Sequence, residues 1–155
     1  MNNEQTLRTV IINTYDNAYV YADKVKIAVN MHNEDTWLPL QTNHVSSLKY
    51  ATYKLSNKNN EDVIFHLWNG IVTVIENEII INTTDDLIFY TSNKKLYLTN
   101  QKNQDNSDLQ ARMKLLMSQD KDKLTYMQEL ELAELGWKNY VSVINANLYL
   151  INKEE

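Results

Sequence analysis

The sequence predicts an α+β fold: an antiparallel β-meander or partly closed barrel followed by two or three C-terminal amphipathic helices. From Leu7 to Leu98 the apolar residues fall in short, roughly alternating runs between Asn- and Asp-bearing turns, the period of strands. From Leu109 to Ile151 they recur every three or four residues, the period of helices. At 155 residues the chain is most simply one domain, residues 1–155, with a β-rich part over about 6–100 and a helical part over about 107–153.

The elements follow in order. Thr6 to Thr14 makes a first strand centred on Val10, Ile11 and Ile12, and Asp16-Asn17 is a turn leading into Ala18–Ala22. Val25, Ile27, Val29 and Met31 alternate with more polar neighbours, as in a strand with one buried face. Trp37-Leu38-Pro39-Leu40 is an edge or a packed loop, because Pro39 has no N–H for a central ladder. Leu48 to Leu55 is a strand. Asn69-Gly70, between Val63–Trp68 and Ile71–Ile75, predicts a two-residue type I′ hairpin. Ile79–Ile81, Leu87–Thr91 and Leu96–Leu98 continue as short strands, with Asp85-Asp86 as one of the turns.

Gln101 to Ser107 reads as a linker. Ser107-Asp-Leu-Gln110 fits a capping box before the stripe Leu109, Met113, Leu116 and Met117. A second helix is expected over about Lys121 to Leu135, ended by Gly136 in a left-handed conformation. A third follows from Trp137 along Tyr140, Val141, Ile144, Leu148 and Ile151, with a strand over 137–152 as the alternative. In outline, a sheet meander followed by a helix resembles the pleckstrin-homology-like superfold, a likeness of topology that implies nothing about function.

Composition excludes more than it assigns. Net charge is −5 and only two of the 15 basic residues are arginine, so no basic face for direct nucleic-acid binding is expected. With no cysteine, disulfides, thiol chemistry and thiolate metal sites are closed. The start, Met1 to Thr6, lacks a basic, apolar secretory leader, and no apolar run approaches the roughly 20 residues of a membrane span. A soluble protein of a bacterial cytoplasm is therefore expected, with no membrane partner. The 21 asparagines and the preference for Lys over Arg point to an AT-rich genome, such as a low-GC bacterium, its phages or its plasmids.

The chain has two glycines, Gly70 and Gly136. Phosphate-binding loops, dinucleotide turns and nucleophile elbows each need two closely spaced glycines, so none is present. The weak metal candidates are His32, Glu34 and Asp35 in His32-Asn-Glu-Asp35, with His44 and His66 as distant partners. A solvated turn at a strand end explains the same residues. The acidic pairs Glu61-Asp62, Glu76-Asn-Glu78 and Asp85-Asp86 coincide with turns and lack the lysine or histidine spacing of a two-metal nuclease. Neither a cofactor nor a catalytic residue is implied.

Ten tyrosines and three tryptophans against two phenylalanines skew the aromatics toward the kind used at interfaces. Tyr15, Tyr19 and Tyr21 flank the first turn, Trp37 lies in the Pro39 segment, and Glu34 and Asp35 add charge beside it. These six residues are the candidate binding surface, although core packing, with tyrosine partly a codon effect, is the plainer account of the aromatics. The expected function is a non-enzymatic protein-binding inhibitor or adaptor, phage- or mobile-element-encoded, of the anti-defence or immunity type. Such a protein occludes a partner surface, for instance a basic nucleic-acid-binding one. The alternatives are a metal-dependent hydrolase or nuclease at His32, Glu34 and Asp35, and a self-assembling virion-type protein joined through the C-terminal helices.

Overall fold

A computed structural model describes residues 6–84, 86–100 and 107–154. The fold is α+β, with a ten-strand, mostly antiparallel sheet that does not close into a barrel, followed by helices. The strands are β1 (Arg8–Asn13), β2 (Ala18–Asn30), β3 (Trp37–Pro39), β4 (His44–Ser47) and β5 (Tyr50–Asn57). They continue as β6 (Asp62–Trp68), β7 (Ile71–Val74), β8 (Glu78–Asn82), β9 (Phe89–Ser92) and β10 (Leu150–Asn152). The helices are α1 (Lys94–Asn100), α2 (Ser107–Met117) and α3 (Tyr126–Leu148). Two compact units result: residues 1–92 with 151–155, and residues 93–150.

In the first unit the order across the sheet is β10-β9-β6-β5-β2-β1-β8-β7-β4, with β3 on β2. The β1–β8 ladder is parallel and places Ile11 beside Ile80. Alternate residues point inward: Val10 and Ile12, Val25 and Ile27, Tyr53 and Leu55, Phe65 and Leu67, Val72 and Val74, Ile79 and Ile81 all join one buried cluster. Strands far apart in the ladder order share that cluster, so the sheet curls around its own core. The Ser46 and Tyr53 hydroxyls meet at 2.6 Å between β4 and β5.

β2 is one long strand where the sequence suggests two, because the β1–β2 register slips twice within it. Lys24 takes the left-handed conformation (φ 55°) at one slip, and Asp23 Oδ1 accepts its backbone N–H at 2.8 Å. The Asn69-Gly70 hairpin expectation is overturned. β6 pairs with β5 and β9, and β7 pairs with β4 and β8, so this dipeptide turns a corner and joins no hairpin. Asn69 has φ 55° while Gly70 has no positive φ. Gly70 is needed for space, because a Cβ there would lie 2.7 Å from Leu67 Cδ1.

The second unit corrects three further expectations. Leu96–Leu98 is helical, within α1, whose start is fixed by Asn93 Oδ1 accepting the Leu96 N–H at 3.1 Å. Three alternating residues are too few to separate the two periods. Lys121–Lys123 is a single 3₁₀ turn, and the long helix begins only after Thr125, which forms a reciprocal capping box with Gln128. Gly136 does not end it: α3 runs through to Leu148, and Tyr149 (φ 54°) supplies the left-handed cap. Residues 137–148 are therefore helix. α2 and α3 form an antiparallel pair, held by a two-point contact in which Arg112 Nε and Nη2 donate to Glu131 Oε1 and Oε2 at 2.7 and 2.9 Å. Gln110 also meets Asn139 across it. Of the expected linker Gln101–Ser107, residues 101–106 lie outside the described residues, as does the Asp85 half of the acidic pair, while Ser107 already begins α2.

Candidate protein-binding face

The ladder registers build one continuous row on the outer face of the sheet. Val45 of β4 is opposite Thr73 of β7, and Thr73 is opposite Ile80 of β8. Ile80 lies beside Ile11 of β1, and Ile11 is opposite Val20 of β2. The core-facing neighbours of these residues, Val72, Val74, Ile79, Ile81, Val10 and Ile12, are fully buried, so the row points away from the core. Its two ends are open, with Val20 64% and Val45 66% exposed. Ile71 and Ile75, on the same face of the β7 segment, are exposed as well. Between the ends, Ile11, Ile80 and the polar Thr73 are half-buried. Exposed apolar side chains such as Val45, Ile71 and Ile75 on neighbouring strands are the kind of surface that marks interaction sites in water.

The two flanks of the row differ in charge. On one side stand Glu78, Thr9 and Asp23: Thr9 pairs with Glu78 in the parallel ladder and donates its hydroxyl to Asp23 Oδ1 at 2.7 Å. That hydrogen bond, with the Lys24 backbone N–H and the Lys24 charge, holds the Asp23 carboxyl below its ordinary pKa. On the other side lie Ile71, Asn82, Asn13 and Ala18, where Asn13 Nδ2 donates to Asn82 Oδ1 at 3.0 Å. One flank is anionic and the other is neutral.

The aromatic candidates divide. Tyr15 is 86% exposed at the β1–β2 turn, and Tyr19 is exposed beside it, next to Val20 at the end of the row. Tyr21 instead packs on the core, stacked on Phe89 with centroids 4.2 Å apart, and burial raises its hydroxyl pKa. Trp37 lies on β3, with the Lys54 ammonium 4.6 Å from its ring centroid and its Nε1–H donated to Asp35 Oδ1 at 2.8 Å.

Asp35 thus braces the Trp37 indole. The segment containing Glu34 is a tight turn in which His32 and Asn33 both have positive φ and the Glu34 carbonyl accepts from Asn30 Nδ2 at 2.6 Å. His44 Nδ1 accepts the Gln41 N–H at 2.8 Å, and His66 contacts the Thr52 hydroxyl at 2.8 Å within the sheet. Among the described residues no group of three or more His, Asp or Glu side chains is placed to hold a metal ion. Nor is any described helix long and apolar enough to cross a membrane.

Sequence reasoning missed Ile11, Val20, Val45, Thr73 and Ile80. The signal was the unbroken runs Val10–Ile12 and Ile79–Ile81, apolar at every position where a strand with one solvated face would alternate.

The sequence matches the profile of the UU051 N-terminal domain over residues 9–88. The chain belongs to this family. The matched UU051 N-terminal span runs from β1 to the approach to β9 and contains every residue of the outer row. No curated protein matches the sequence. Among solved structures, the fold is similar to a chain in the cryo-EM structure of the Euglena gracilis mitochondrial ATP synthase, OSCP/F1/c-ring in rotational state 1. The TM-score is 0.53 at 8% identity, over 92% of this chain and 84% of that one. At that identity the likeness is one of fold.

Proposed function

We propose that this UU051-family chain is a non-enzymatic protein-binding adaptor that works in the cytoplasm as a component of a larger protein assembly. The observation that carries this reading is the set of exposed apolar side chains on the outer face of the sheet, Val20, Val45, Ile71 and Ile75, opposite a face that is a complete core. Their location supports recognition by occlusion, in which covering them removes apolar surface from water while the flanking carboxylates set orientation. The fold likeness to a chain of a multi-subunit ATP synthase extends over both the sheet and the helices, which makes an ATP synthase-like assembly the first class of partner to test. An inhibitor of a host complex, encoded by a phage or other mobile element, is the same mechanism with a different beneficiary.

The test is purification of the tagged protein from the cells that encode it, at moderate salt, with each retained protein quantified. One or more proteins at fixed stoichiometry, lost when Val20 and Val45 are replaced by Asp, is the expected result. Recovery of the bait alone would overturn the adaptor reading.

A further inference from the structure

We infer that the N-terminal half of α3, from Tyr126 to Trp137, is a docking face for a basic amphipathic helix of a partner protein. The face belongs to the helical unit and not to the sheet, so its failure would leave the adaptor reading standing. Residues three and four apart share one side of a helix, which lines up Tyr126, Leu130, Ala133 and Trp137. α3 turns another side to α2, marked by Glu131 and Asn139 in their contacts with Arg112 and Gln110. A helix that is apolar on more than one side needs neighbours on more than one side. Yet the buried residues of α3 are Ile144 and Leu148, both near its C-terminal end. In the first turns Tyr126 is 73% exposed, Met127 71% and Leu130 43%. The capping box of Thr125 and Gln128 fixes this start, so the exposed side chains stand on regular helix.

Charge selects the occupant. Glu129 and Glu134 flank the stripe on its two sides, both exposed, and neither has a hydrogen-bond or ion-pair partner among the described residues. The first turn of a helix favours Glu129 by itself, but that preference does not extend to Glu134. Lys138, the basic residue of this stretch, lies one turn beyond Glu134 and forms no ion pair with it. In an antiparallel pairing of two copies about Leu130, Glu129 would lie against Glu131 and Glu134 against Tyr126, so a second copy offers no opposite charge. A helix with lysine or arginine on either side of its own apolar stripe does. The face runs for about three turns, roughly 16 Å, which a partner helix of about 12 residues covers by ridge-into-groove packing.

Two synthetic 14-residue helical peptides provide the probe: a leucine stripe flanked by lysines, and a twin flanked by glutamates. Each is titrated into the ¹⁵N-labelled full-length protein, and amide chemical shifts locate and quantify binding. The lysine peptide is expected to shift residues 126–137 and to bind roughly tenfold more tightly than the twin, as two exposed charge contacts allow. Combining Glu129→Gln with Glu134→Gln should level the two peptides, and Leu130→Gln should weaken both, with the helical circular dichroism unchanged. Equal affinity of the parent protein for the two peptides, shifts centred outside α3, or no binding of either at millimolar concentration would overturn the inference. Shifts in residues 126–130 that grow with the protein's own concentration would overturn it in favour of a second copy.

Discussion

Val20 and Val45 stand at opposite ends of one cross-strand row, on β2 and β4, and each leaves about two-thirds of its side chain in water (64% and 66% exposed). They are far apart in sequence, and the parallel β1–β8 ladder links their strands into one cross-strand row on the outside of the curled sheet. Val20→Asp and Val45→Asp should each abolish partner retention while changing stability by no more than about 0.5 kcal/mol, as for exposed substitutions. Urea unfolding measured beside the capture experiment checks both halves of that statement.

Gly70→Ala should destabilise the protein by roughly 1–3 kcal/mol, because the added Cβ must displace the buried Leu67 side chain at the β6–β7 corner. The check is the denaturant midpoint at unchanged slope. A stability equal to that of the parent would mean that the corner relaxes freely.

Arg8 is 3% exposed and has no carboxylate partner among the described residues. Its guanidinium donates to the carbonyls of Ile75, Glu76 and Thr6 and to the Thr42 hydroxyl, tying the start of β1 to the β7–β8 turn and the approach to β4. Arg8→Met keeps most of the packing but leaves those acceptors unpaired, and should cost roughly 1–3 kcal/mol. Hydrogen exchange should speed most in β4 and the β7–β8 turn.

Acid should loosen the helical unit through Glu131. The hydrogen bond from Arg112, with its charge, lowers the Glu131 pKa in the folded state below the ordinary 4.5. A depressed carboxyl contributes stability that is present above the unfolded pKa and is lost as pH falls through the folded one. Amide protection factors in α2 and α3, with the intrinsic pH dependence of exchange divided out, should therefore fall as pH drops below about 4.5, and Glu131→Gln should flatten that dependence. An unchanged profile in the variant would show that the pair, which is largely open to solvent, contributes nothing measurable.

The α+β division was legible because hydrophobic period is a local property, and the change of period near residue 100 survives folding. Short elements were not. β4, with Val45 between His44 and Ser46, carries too little pattern to be seen and exists because β7 offers it an edge. Asn69-Gly70 has hairpin chemistry, yet its flanking strands pair elsewhere, a tertiary choice invisible to the dipeptide. Gly136 shows the same override: a glycine costs about 1 kcal/mol inside a helix, which packing of α3 absorbs. Of the site, Tyr15 and Tyr19 were legible as exposed aromatics near the row, but Tyr21 was not separable from them, since its stacking on Phe89 of β9 is a contact between strands far apart in sequence. The row itself depends on five strands meeting in register, which no single stretch of sequence encodes.

The most direct measurement is site-specific photocrosslinking in the cells that encode the protein, with a photoreactive residue placed at position 45, at position 20 or at the exposed control position 58. The adaptor account predicts one discrete protein adduct shared by positions 45 and 20 and absent from position 58. Adducts from position 58 alone, or none from either end of the row, would contradict it.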